Sequence, residues 1–140
     1  MGAILCAECA YDEFVKPVVQ VTALDHIVLK CADVATTLAW YLDVLGLAAV
    51  RVDEWRAGTA PFPSVRVGAD TIIDLVPGST DDGRLEHFCL VVRTTDLDTL
   101  AQSGRLHVLE GPVPRYGARG MGTSLYVRDP DGAVVELRHY

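Results

Sequence analysis

At 140 residues, half of them hydrophobic, the chain is long enough for one domain with a substantial core and too apolar to stay disordered. Nineteen acidic against twelve basic residues give a net charge of −7, and the basic residues are scattered. That excludes the clustered Lys and Arg by which nucleic acids or anionic membranes are bound. No apolar run reaches the roughly 18 residues of a membrane helix, and Met1 to Pro17 lacks a secretory pattern, so a cytoplasmic location is expected.

Residues 1–22 read as an N-terminal arm outside the pattern that follows, packing on the domain or on a second subunit, with Phe14, Val15, Val18 and Val19 as an apolar cluster able to cover a neighbour. Cys6 and Cys9 form a C-x-x-C with no second pair to complete a zinc site, and all four cysteines are expected to be free thiols. The first strand is expected at Asp25–Cys31. Asp33 then suits a helix N-cap, and Val34, Leu38, Tyr41 and Leu45 form an apolar stripe ending at Gly46. A second strand is expected from about Ala48 to Val52, a loop over Glu54–Pro63, and a hairpin of Val65–Val67 with Thr71–Val76. Pro77–Arg84 is a connector.

The order then repeats. His87–Val92 reads as a strand, Asp96–Ser103 as a short helix with Leu97, Leu100 and Ala101 on one face, and Leu106–Leu109 as a strand. Gly111–Gly122 is expected to be a long glycine-rich loop, and Thr123–Arg128 with Ala133–Arg138 a hairpin turned by Asp129-Pro130-Asp131-Gly132. Each copy is strand–helix–strand–strand–strand, the first over about 23–78 and the second over about 84–139.

Each copy also carries one histidine and one carboxylate in matching apolar frames. Leu24-Asp25-His26-Ile27-Val28-Leu29 parallels Leu85-Glu86-His87-Phe88-Cys89-Leu90, and Ile72-Ile73-Asp74-Leu75 parallels Val134-Val135-Glu136-Leu137. From His26 to Asp74 is 48 positions and from His87 to Glu136 is 49. Most lone histidines on apolar faces are hydrogen-bonded core residues, but that reading predicts no correlation between them. A carboxylate inside Val-Val-Glu-Leu is costly without a partner. Paired about a pseudo-two-fold axis, the copies would bring four potential metal ligands together. Two imidazoles with one or two carboxylates suit Zn, Ni, Co, Mn or Fe(II). Arg115, Tyr116 and Arg119 could clasp an anionic substrate, or simply belong to a solvated loop. Trp40 and Tyr41 read as core, and His107 and His139 match nothing in the other copy.

The simplest two-by-two register of the last hairpin pairs Arg128 with Ala133 and turns Val127 and Leu125 toward Glu136; an odd loop would shift it by one.

With Trp40-Tyr41-Leu42-Asp43-Val44-Leu45-Gly46-Leu47 and Tyr126-Val127-Arg128-Asp129-Pro130-Asp131-Gly132, the two His frames resemble the vicinal oxygen chelate superfamily over about residues 23–139. This superfamily includes glyoxalase I, extradiol dioxygenases, fosfomycin thiol transferases, methylmalonyl-CoA epimerase and bleomycin-binding proteins. The resemblance implies an α+β fold of two tandem βαβββ modules whose curved mixed sheet wraps a divalent metal. It implies His26, His87 and Glu136 as metal ligands, with Asp74 at the fourth position, where glyoxalase I-like enzymes are expected to carry Glu. It also implies Ser124 and Tyr126 in the substrate pocket, hence Tyr126 on the site face against the simplest register. A glyoxalase I-type lyase or isomerase acting on a small oxygen-bearing molecule is the activity implied first, with Glu136 or Asp74 moving a proton. An Fe(II) extradiol-type dioxygenase and a metal-free antibiotic-binding protein are the other readings. Members pair modules within or between subunits, so a homodimer with a shared site is a further expectation.

Overall fold

The computed structural model describes residues 17–93 and 96–140; Cys6, Cys9, Phe14 and Val15 lie outside the described residues. Eight strands form one sheet: β1 Val21–Cys31, β2 Ala48–Val50, β3 Ser64–Gly68, β4 Thr71–Pro77, β5 Leu85–Val92, β6 His107–Gly117, β7 Gly120–Arg128 and β8 Val134–His139. The order across the sheet is β2-β3-β4-β1-β5-β8-β7-β6, so each module supplies four adjacent strands and the modules meet at the antiparallel β1–β5 pair. Within each module the first and last strands run parallel, β1 with β4 and β5 with β8. The helices are α1 Val34–Asp43, α2 Val52–Arg56 and α3 Leu97–Gln102. Among the described residues no helix is long and apolar enough to cross a membrane.

Alternation along the strands separates a helix-covered face from a second face. Cys31, Val65 and Leu75 join Leu38 of α1 in one buried cluster, with Leu29, Ile73, Tyr41 and Leu42 packed against it. Val92, Leu125, Val127 and Leu137 join Leu97 and Leu100 of α3 in the other. Successive strand residues point to opposite sides, so His26, Asp74, His87, Ser124, Tyr126, Glu136 and Arg138 all share the second face. Asp33 caps α1 as expected, its carboxylate accepting from Thr36 N at 3.1 Å, and Asp96 caps α3 in the same way. Free Cys31 and Cys89 are both buried.

Several expectations need correction. The second strand stops at Val50, and α2 occupies the start of the expected Glu54–Pro63 loop. Leu45 lies beyond the end of α1 and is half exposed, as is Trp40; Leu42 packs inward instead. Val18 and Val19 pack on the α3 cluster of their own chain, the first of the two placements expected of the arm.

The largest departure is Gly111–Gly122, which is not a loop. It forms the ends of β6 and β7, paired from Val113↔Ser124 to Gly117↔Gly120 around a tight turn. Pro112 and Pro114 are tolerated because β6 is an edge strand with one ladder to satisfy. The glycines make room for Arg138, which is fully buried beneath them. A Cβ on Gly117 would lie 2.5 Å from Arg138 Cζ and 2.6 Å from Asp25 Oδ2; one on Gly122 would lie 2.6 Å from Arg138 Nη2 and 2.9 Å from His139 O.

The last hairpin is also shifted. Arg128 pairs with Val134 and Tyr126 with Glu136, because the turn holds five residues, Asp129 to Ala133, rather than four. Asp129 Oδ1 accepts from Asp131 N and Ala133 N, both at 2.9 Å, and closes that odd turn. Tyr126 therefore faces the same side as Glu136.

Gly122→Ala should destabilise the fold by at least the ~1–3 kcal/mol of an overpacked interior, because a carbonyl oxygen as well as Arg138 must give way. Gly68, whose Cβ would meet nothing within 4 Å, supplies the control. Urea denaturation of Gly122→Ala and Gly68→Ala should separate the two, with Gly68→Ala close to the parent.

Candidate metal centre

Two cross-strand rows build the site. Ser64, Asp74, Val28 and His87 face one another across β3, β4, β1 and β5. Tyr126, Glu136, Cys89 and His26 do the same across β7, β8, β5 and β1. The rows are the pseudo-symmetric halves of one pattern, two residues apart along β1 and β5, so all eight side chains leave the same face. The duplicated His-to-acid spacing thus converges within a single chain.

Glu136 Oε2 lies 3.1 Å from His26 Nε2 and 3.1 Å from His87 Nε2. One ligand atom from each of the three lies within 4.8 Å of the other two, a group able to hold a metal ion. Asp74 is set back, its Oδ2 3.8 Å from His26 Nε2 and its Oδ1 accepting from Ser64 Oγ at 2.5 Å. The shorter side chain explains the difference. Glu136 Oε1 likewise accepts from a serine, Ser124 Oγ at 2.6 Å.

The donor set fits a divalent ion. Ligands bound at about 2.1 Å and subtending 90–109° lie about 3.0–3.4 Å apart, which is the spacing found around Glu136 Oε2. Each histidine also has its other nitrogen fixed by the acid that precedes it. His26 Nδ1 donates to Asp25 Oδ2 at 2.7 Å, and His87 Nδ1 donates to Glu86 Oε2. Such carboxylate–histidine pairs set the tautomer and ring orientation of a metal-binding imidazole. The repeated acid–His dipeptide was in the sequence, but the two acids were read only as part of the frame.

A buried charge network lies behind. Asp25 accepts from Ala118 N at 3.0 Å and from the Tyr140 hydroxyl. Arg138 Nη1 lies 3.3 Å from Glu136 Oε1, and its Nη2 donates to Arg115 O at 2.8 Å and Gly120 O at 3.2 Å. Neither Asp25, Arg138 nor Ser64 was singled out from the sequence. Arg138 carried no signal there, since a basic residue near a chain end reads as solvated.

These surroundings drive the two carboxylates apart. Burial would raise the proton affinity of Glu136, but hydrogen bonds from His26, His87 and Ser124 hold it well below the usual carboxylate range. Burial raises that of Asp74, against the pull of His26, Ser64, Arg51 and His87. Burial opposes protonation of His26, yet its bonds to Asp25, Cys89 and Glu136 push its pKa up to about 12. A metal ion bound at this centre would have to displace the proton from the same Nε2 position.

A cavity of about 470 Å³ opens over this centre. His26, His87, Asp74, Glu136, Tyr126 and Arg115 line it, and so do Arg51 and Phe62, which the sequence did not mark. The His87 ring stands edge-on to Tyr126 at 5.6 Å. Arg115 reaches the cavity while paired with Glu110 at 2.7 Å. Arg119 lies away from the lining, paired with Asp70 at 3.3 Å, and Ser124 is buried behind Glu136.

Residues 23–137 match the Glyoxalase/Bleomycin resistance protein/Dioxygenase superfamily. The chain belongs to this superfamily. Its relatives include "Virulence protein STM3117" of Salmonella typhimurium, 31% identical over 84% of this chain and 83% of that protein. Methylmalonyl-CoA epimerase from Mycobacterium tuberculosis shares the fold, with a TM-score of 0.59 at 20% identity over 90% of this chain and 93% of the other. The Mn(II)-bound glyoxalase from Novosphingobium aromaticivorans does so with a TM-score of 0.63 at 19% identity, covering 87% of this superfamily member and 40% of that chain.

The lowered Glu136 pKa has a testable sign. A group depressed in the folded state stabilises above its unfolded pKa, here about 4.5, and that stability is lost as pH falls through the folded value. Metal-free protein should therefore lose stability below about pH 4.5, and Glu136→Gln should show a flatter acid limb in denaturation curves taken across that range.

Proposed function

We propose that this chain is a metal-dependent enzyme of the glyoxalase I-like lyase/isomerase type, acting on a small oxygen-bearing molecule. His26, His87 and Glu136 would hold the metal. A bound divalent ion supplies Lewis-acid stabilisation of negative charge on substrate oxygens. The observation that carries the reading is the placement of the two acids: Glu136 lies 3.1 Å from both histidine Nε2 atoms, while Asp74, set back and with a raised proton affinity, faces the same cavity. Two acids whose surroundings push them apart divide the work of ligand and proton carrier.

In this division Asp74 takes a proton from carbon or oxygen of the bound molecule and returns it at a neighbouring atom. Ser64 holds its Oδ1, leaving Oδ2 toward the cavity. Tyr126, whose hydroxyl burial keeps protonated, donates a hydrogen bond to the substrate, and Arg115 sits beside it.

Elemental analysis and turnover together test the proposal. Glu136→Gln should lose both metal and activity, because an amide is a weaker ligand. Asp74→Asn should retain metal and lose turnover by about 10²–10⁴-fold, the usual contribution of general acid–base catalysis. If both variants keep metal and activity, the acids are structural and the reading fails. Tightly held iron with oxygen uptake would replace it with the dioxygenase, and metal-free protein with the antibiotic binder.

We also infer a homodimer, supported by the exposed apolar group Trp40, Val44 and Leu45 at the end of α1. Sedimentation at micromolar concentration should give twice the 15.2 kDa chain mass; a monomer would remove the inference.

A further inference from the structure

Arg51 stands out from the other cations of the molecule. Among the described residues it is the only non-glycine with positive φ, at 55°, and so holds a left-handed backbone that side chains disfavour. It sits between β2 and α2, and its side chain runs to the metal-centre cavity. There the guanidinium lies over the Tyr116 ring, 3.8 Å from its centroid, and 5.0 Å from that of Phe62. Stacking of this kind fixes the plane of the fork and leaves its N–H edges for in-plane acceptors.

Those edges find none. Nε and Nη2 are enclosed and have no hydrogen-bond partner. These two nitrogens form one edge of the guanidinium, spaced to meet two oxygens of a carboxylate or phosphate once an entering ligand displaces the groups that enclose them. The remaining charges of the cavity are committed: Glu136 to the two histidines, Glu86 to His87, Arg115 to Glu110, and Asp74 to Ser64. Asp74 feels the charge of Arg51, yet no ion pair joins them.

We propose that Arg51, held against Tyr116 and near Phe62, is an oxyanion-binding subsite. It would take the carboxylate or phosphoryl end of an anionic small molecule whose other oxygens reach the His26, His87 and Glu136 centre. The inference deepens the proposed function by naming the charge class of its substrate, and rests on that reading only for the far end of the molecule. It assigns recognition to a residue of the first module, where the sequence had pointed to Arg115 and Arg119 of the second.

The test is anion binding by calorimetry, with acetate and inorganic phosphate as separate probes and metal content measured alongside. The parent should bind at least one, with acetate tighter for a carboxylate-bearing substrate and phosphate tighter for a phosphorylated one. Arg51→Met should weaken binding at least tenfold with metal content unchanged. Arg51→Lys, which keeps the charge and backbone but not the fork, should fall between and guards against a folding failure of the first variant. Glu136→Gln should lose metal and still bind the anion through Arg51. A parent without metal that shows Arg51-dependent binding would sink the enzyme reading alone. Equal affinities in the parent, Arg51→Met and Arg51→Lys, or no binding by the parent, would overturn the subsite.

Discussion

A carboxylate with one per cent of its surface exposed must be met by positive charge or hydrogen-bond donors, and Glu136 is that carboxylate. One of its oxygens faces two imidazole nitrogens; the other faces Ser124 and Arg138. Much of the molecule's local design follows. Arg138 must itself be buried, so carbonyls of the β6–β7 turn accept its protons, and Gly117 and Gly122 leave it space. Asp25 sits near the far side of Arg138, and through His26 it orients one of the same imidazoles. The site and its support form a closed circuit of charges. Removing one member leaves others buried and unpaired, at a cost well above that of an exposed pair.

The two modules are alike in frame and unlike in chemistry. Tyr126 occupies the row position that Ser64 holds in the other copy, and Cys89 that of Val28. The consequence is largest for the acids. Glu136 reaches the midpoint of the two histidines, while Asp74, one methylene shorter, stops short and turns to Ser64. A symmetric pair of acids would give two equivalent ligands. The asymmetric pair sets one carboxylate between the histidines and one beside it, in reach of whatever the cavity of about 470 Å³ holds.

The fold and its central trio were legible because duplication turned two isolated histidines into a correlated pattern, and strand alternation then assigned faces. Legibility failed where tertiary partners override local chemistry. Gly117, Gly120 and Gly122 look like loop residues, but the first and last are small because Arg138 lies beneath them. The odd turn at Asp129–Ala133 was invisible to residue counting, because the Asp129 side chain chooses it through two backbone donors. Arg51 could not be found at all: its role depends on Tyr116, which lies 65 positions away along the chain. Arg115 and Arg119 were visible as a pair, yet the hairpin separates them, one toward the cavity and one toward Asp70.

The central claim is that one divalent ion is held by two imidazoles and a carboxylate, and X-ray absorption at the metal edge tests it most directly. Nitrogen and oxygen neighbours are expected at about 2.0–2.2 Å, with the outer-shell scattering of two imidazole rings. A sulfur neighbour at about 2.3 Å would instead place the metal in the other possible group, Asp25, His26 and Cys89. That result, or a spectrum with a single imidazole, would contradict the account.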